Sequence, residues 1–245
     1  MPALALTGTR ALAAPKSRGF SNKLLSALPD DVRDDFVSDL TKVDLPRRTP
    51  LETRKKRIDY VYFLEGGIAS IVATNDMQVE VGIIGYEGVT GLSILHMSER
   101  AIYSAYMQVG GFGWRASASA LRRLMDENAQ SRRVFLAFAQ AFLVQTAETA
   151  VANARASVGE RLARWILMAQ DRVRSDEIPL THEFLALMMA ARRPGVTEAM
   201  HELERRGLVV GERGRVIVRD RTGLIERAGS YYGVPETEFG RLLRV

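Results

Sequence analysis

The chain has 245 residues, 47% of them hydrophobic and 26% charged, which suits a globular protein with room for two small cores and excludes a fibrous or disordered one. It has no cysteine, so disulfides, iron–sulfur clusters, thiolate zinc sites and cysteine nucleophiles are all excluded. A net charge of +5 permits an acidic partner without requiring one.

Residues 1–20 read as a loose tail. The opening "MPALALTGTRALAAPKSRG" lacks a basic start and is broken at Thr7-Gly8-Thr9-Arg10, so a signal peptide is not expected and the location expected is cytoplasmic. Residues 21–44 carry helical signals, with Pro29-Asp30-Asp31 opening a short helix. The acids Asp30, Asp31, Asp34 and Asp35 read as helix-start chemistry. The run "PRRTPLETRKKR" at 46–57 holds six basic residues and reads as a solvated loop or as a contact for bent DNA. A stretch dense in β-branched residues and glycine follows. "DYVYFLEGGIASIVAT" predicts strand, turn at Gly66-Gly67, strand; "MQVEVGIIGYEGVTGLSIL" predicts a strand and a glycine-punctuated loop; "AIYSAYMQVGGFGWRAS" supplies one or two more strands. Short strands at this spacing predict a small β-barrel or jelly roll.

From Ala118 the period becomes helical for about fifty residues. Leu136, Leu143, Ala147, Ala150 and Ala154 follow a seven-, four- and three-residue spacing, the seam of a paired helix, while Phe135, Phe138 and Phe142 on a neighbouring stripe face the barrel. The most apolar run, Val134 to Val144, is shorter than the roughly 18 residues a membrane span needs. In "VGERLARWILMAQDRV", Leu162, Trp165, Ile166 and Ala169 share one face, with Arg161, Arg164 and Arg172 off it. "IPLTHEFLALMMA" predicts a helix with Thr181 as N-cap, Glu183 in its first turn and Phe184, Leu187 and Met188 buried. A further helix follows, with Val196, Ala199, Met200 and Leu203 inward, and then two strands around Gly211 and Gly214. Helix, turn, helix, hairpin is a winged helix-turn-helix. From residue 157 onward there are 15 Arg, no Lys and 13 acids, and arginine alone suits bidentate contacts to phosphate or guanine.

"LTHEFLALMMAARRPGVTEAMHELERRGLVVGERGRVIVRDRTGLIERA", preceded by "GERLARWILMAQDR", resembles the DNA-binding domain of Crp/Fnr-type transcription regulators, the family of the cyclic-AMP receptor protein. "YVYFLEGGIASIV" and "VEVGIIGYEGVTGL" are similar to that family's cyclic-nucleotide-binding-like barrel. The fold expected is therefore α+β: a tail at 1–20, a β-barrel (jelly roll) sensor at 21–130, a dimerisation helix at 131–156 and a winged helix-turn-helix at 157–245. The expected function is homodimeric, sequence-specific DNA binding at a palindromic site, with RNA polymerase as a further partner. The alternative is a small-molecule-binding signalling protein whose winged helix contacts protein.

A recognition helix presents its N-terminal outward residues to base edges. The candidates are Arg192, Arg193, Pro194, Thr197, Glu198 and His201, with Arg205, Arg213 and Arg215 placed for phosphate. Pro194 marks a helix start, since the first N–H groups have no partner there. Gly195 reads either as a close-approach position or as a neutral residue in the first turn. The family commonly carries a Glu early in this helix and a Ser-Arg pair three and four residues later. Here Pro194, Thr197 and Glu198 stand instead, so the family's half-site is not implied.

For an effector the candidates are Gly85, Glu87, Gly88, Gly91 and Arg100. The family's Arg-Ser pair is missing, so cyclic nucleotide is not expected and no cofactor is predicted. Three histidines, only one of them in the barrel region, make no metal site, and no catalytic constellation assembles; a non-enzyme is expected.

Overall fold

The computed structural model describes residues 19–74, 78–180, 184–185, 188–189 and 191–243. The chain is mixed helix and sheet. The first helix, α1 (Lys23–Ser26), is one turn capped by Asn22, whose side-chain oxygen accepts from the Leu24 and Leu25 N–H groups at 3.1 Å. The same buried amide donates to Leu64 and Gly88 carbonyls at 2.9 and 2.8 Å, which ties this turn to the sheet with no polar group of the side chain left unpaired. In α2 (Asp30–Phe36), Asp30 and Asp31 occupy the first turn, where the helix dipole favours acids.

Five strands follow: β1 (Thr41–Leu45), β2 (Pro50–Glu52), β3 (Tyr60–Thr74), β4 (Gln78–Ile84) and β5 (Ser104–Ser117). They form an antiparallel sheet in the order β1-β5-β3-β4, with β2 also on β5. The sheet is jelly-roll-like but not a closed barrel among the described residues. Nor does the chain turn at Gly66-Gly67. There β3 continues as one strand, and its register against β5 shifts beside Gly66 and again at Ile68. Gly67 has φ +84°, and a Cβ on it would lie 2.6 Å from the Val109 carbonyl oxygen, so the glycines serve a bulge and not a hairpin. A short α3 (Leu92–Leu95) lies between β4 and β5.

Ser117 caps α4 (Ala118–Glu127); Asn128, extended at φ −127° and ψ 109°, ends it and caps α5 (Ala129–Arg155) through a 2.7 Å bond from Ser131 N–H. On α5, Phe135, Phe138 and Phe142 are buried against the sheet, with the Phe135 ring 6.1 Å from Phe63. By length and composition α5 is apolar enough to cross a membrane, a stretch longer than the Val134–Val144 run suggested.

The second half opens with α6 (Val158–Val173), whose Ser157–Glu160 capping box satisfies two terminal N–H groups reciprocally. Leu162, Trp165, Ile166 and Ala169 are buried as their period predicts. Arg164 and Arg172, expected off the buried face, are 5% and 8% exposed. The reason is that α6 is packed on two sides: Ile68, Ile83 and Val109 of the first sheet join its core from one, and the rest of the second half from the other.

Next come β6 (Glu177–Pro179), α7 (Arg193–Arg205), β7 (Val209–Glu212) and β8 (Arg215–Val218), the strands pairing in the order β6-β8-β7. Of the helix expected before α7, Thr181, Glu183 and Leu187 lie outside the described residues; Met188 is buried and Phe184 half-buried. Finally α8 (Arg221–Ala228) leads to α9 (Val234–Leu242), which lies along α5 and brings Phe239 and Leu243 onto the first core.

Candidate nucleic-acid interface

α7 begins where Pro194 requires. Arg192 is the N-cap, with extended φ −73° and ψ 141°, and Pro194 stands in the first turn, where its missing N–H costs nothing. Val196, Ala199, Met200 and Leu203 are buried, each large apolar side chain contributing roughly 1.5–3 kcal/mol. With that face filled, Arg193, Pro194, Thr197, Glu198, His201, Glu204 and Arg205 share the open face on the other side. Gly195 is not demanded by packing, because a Cβ there would meet only Val158 Cγ2 at 4.0 Å.

Contacts distant in sequence hold the helix in place. Arg227 of α8 forks onto Glu202, Nε to Oε1 and Nη2 to Oε2, both at 3.0 Å. This bond holds the Glu202 carboxyl below its usual range. Glu204 accepts from the Gly211 N–H at 2.9 Å and so fixes the start of the wing against α7. No periodic signal marks either pair.

In the wing, Arg213 stands exposed beside Gly214, whose φ is +82°. Arg215 instead bonds Glu212 at 2.7 Å and Glu177 at 2.8 Å. Arg205 Nε reaches the His201 carbonyl at 3.4 Å, and Arg192 is exposed. Of the basic run, Arg47 stacks over the Phe184 ring at 4.1 Å, facing the second half.

Two N–H groups of the glycine-rich loop are taken by carboxylates, one in the loop and one on β2. Gly85 N–H donates to both Glu87 oxygens at 3.1 Å, and Gly91 N–H, at φ +82°, donates to Glu52 at 2.7 Å. A Cβ on Gly88 would run into the Phe138 ring, and one on Gly85 would lie 2.6 Å from Arg172 Cγ. These glycines therefore let α5 and α6 approach the sheet closely. Arg172 pairs with the loop at 2.8 Å from Glu87, and Arg174 and Lys23 lie over the Tyr86 ring at 4.3 and 5.4 Å. Arg100 is elsewhere, exposed and donating to the Lys55 carbonyl at 3.2 Å. Deeper in, Glu80 accepts from Trp165 Nε1 at 2.7 Å and from Ser70 Oγ, joining α6 to β3 and β4. Burial pushes its carboxyl up to about 7 against the pull of those two donors and of Arg164 and Arg172.

On α5, Leu136, Leu143, Ala147, Ala150 and Ala154 are all exposed, Leu143 by 62%. They form a continuous stripe on the face turned from the sheet.

Residues 160–227 match the family model described as the Crp-like helix-turn-helix domain. The chain carries a Crp-like helix-turn-helix domain. No curated protein sequence matches the chain. Among solved structures it is similar to FixK2 from Bradyrhizobium japonicum, at 14% identity and TM-score 0.68, over 78% of this chain and 98% of that one. A CRP-family transcriptional regulator from Thermus thermophilus aligns at 20% identity and TM-score 0.62, over 76% of this chain and 96% of the other. The c-di-GMP-responsive global regulator CLP of Xanthomonas campestris aligns at 16% identity and TM-score 0.61, over 78% and 99%. Over 78% of its length the chain thus shares the fold of FixK2, with the Crp-like helix-turn-helix domain following the long helix.

Proposed function

We propose that the protein is a cytoplasmic, homodimeric, sequence-specific DNA-binding transcription regulator of Crp/Fnr type that catalyses no reaction. The observation that carries this reading is α7 in its Crp-like domain: its apolar face is filled, and Arg193, Thr197, Glu198 and His201 stand together on its open outward face. Glu198 suits cytosine N4, Thr197 a thymine methyl, and Arg192 or Arg193 guanine. Exposed Arg213 suits phosphate. Pairing two copies through the exposed stripe of α5 would set two such helices roughly 34 Å apart, one turn of DNA, so the site read is a palindrome. Contact with RNA polymerase belongs to the same reading.

Cyclic nucleotide is not proposed as effector. The Gly85 and Gly91 N–H groups of the glycine loop are already taken by Glu87 and by Glu52 of β2, and Arg100 stands away from the loop. The test of the main reading is affinity for random duplex at two salt concentrations. A slope of log affinity on log salt near −0.9 for each neutralised phosphate supports it; no binding at low salt overturns it.

A further inference from the structure

A cleft of about 330 Å³ lies where the glycine loop, α5, α6 and the C-terminal segment meet. That volume is at the lower end for small-molecule sites, and walls supplied from both halves of a chain are a common setting for one. Its floor is apolar: Phe138, Ala141 and Phe142 of α5, with Phe239 of α9 facing them.

Most charges in the wall already have partners. Arg221 Nη2 donates to Asp171 at 2.8 Å and to the Tyr232 hydroxyl at 2.7 Å, and that hydroxyl donates to the other Asp171 oxygen at 2.7 Å. Burial and Asp171 push the Tyr232 phenol far up, so it stays a neutral donor. Glu87 faces Arg172 at 2.8 Å, and Glu236 accepts the Gly233 N–H at 3.1 Å at the start of α9. Lys23 is different. Its backbone N–H is bonded to the Tyr86 carbonyl at 2.8 Å, which fixes it at the rim, and its ammonium sits over the Tyr86 and Phe239 rings at 5.4 and 5.3 Å. Among the described residues no carboxylate lies within ion-pair distance of it.

A cleft with an aromatic floor and, at its rim, a cation that no carboxylate pairs suits a flat apolar body bearing one negative charge. We propose that this cleft is a binding site for a small aromatic monocarboxylate. The ring lies on the Phe138–Phe142 floor against Phe239, and the carboxylate meets the Lys23 ammonium. Bound there, the ligand touches the glycine loop, α6 and α9 at once and so stabilises their present arrangement.

The test uses the full-length protein titrated with benzoate, phenylacetate and indole-3-acetate by saturation-transfer NMR, with benzyl alcohol as the uncharged control. The expected result is saturable binding of at least one acid. Lys23→Met, a change of an exposed side chain, should weaken the acids about tenfold and leave benzyl alcohol unchanged, the loss of one charge-assisted contact. Ala141→Phe, which fills the floor, should abolish binding of all four compounds. Absence of saturable binding by any acid into the millimolar range overturns the proposal. So does unchanged binding in Lys23→Met, a variant that keeps the test valid even where Ala141→Phe does not fold.

Discussion

Glu198 is exposed on α7, away from the residues that hold the helix in place, so its side chain is available to a partner and its loss costs the fold little. Glu198→Ala should relax base preference at one position of the selected site by about 1–3 kcal/mol of discrimination and leave the melting temperature unchanged. Sites selected from a random DNA pool measure this, and identical preferences in both proteins would remove Glu198 from the reading set. Arg227 has the opposite character. It is largely buried and forks onto Glu202, so Arg227→Met should lower stability by about 2 kcal/mol in a urea titration, through the charge-assisted pair lost. The contrast marks what was legible at this scale. The buried set Val196, Ala199, Met200 and Leu203 follows from helical period. The Arg227–Glu202 fork joins residues 25 apart on two helices, and nothing local in either segment signals it.

α5 presents two faces with different fates. Its phenylalanines fill the sheet core, and its alanine stripe is bare. Ala150→Glu on that stripe should give monomers in analytical sedimentation without lowering the melting temperature of the single chain; a persisting dimer would mean another surface pairs the copies. α6 meets the sheet through a carboxyl that avoids charge. Glu80 stands among Ser70 of β3, Tyr106 of β5 and Trp165, Arg164 and Arg172 of α6. Its pKa rises from 4.5 to about 7, so the folded state holds the proton longer than the unfolded one. That stability is full below pH 4.5, falls as pH rises and is gone above about 7, at up to roughly 1.4 kcal/mol per pH unit. Glu52 is raised to about 7 by desolvation too, so the two groups together give up to roughly 2.8 kcal/mol per pH unit, and Glu80→Gln and Glu52→Gln should each remove about half of that combined slope. Equal slopes in urea titrations of wild type and Glu80→Gln would contradict the assignment. Sequence period located the helices but not this contact, because Arg164 and Arg172 look solvated when α6 is considered alone. Gly66-Gly67 misled for a related reason: two adjacent glycines suit a turn as well as a bulge, and only the partner strand decides.

Across the whole molecule, the boundary between the halves is packed like an interior. Ile68, Ile83 and Val109 of the first sheet share a core with Trp165 and Leu203, while α9 returns to α5 and the first core. Calorimetry should therefore give one cooperative transition for the full chain; two well-separated transitions would show that the shared core does not couple the halves. Adding cyclic AMP should leave that transition where it is, and a saturable upward shift would reverse the reading of the glycine loop. The order of strand-rich, long-helix and winged segments was visible in the sequence. The return of α9 was not, since "VPETEFGRLL" has an ordinary short helical pattern whose partner lies almost a hundred residues earlier. Gly85 gathers these facts into a genetic expectation. The Arg172 stem occupies the space a methyl group would need there, so Gly85→Ala should push α6 away from the loop while leaving the residues of each interior unchanged. On the proposed reading, an allele at that codon should change the response to an effector and leave the outward face of α7 intact.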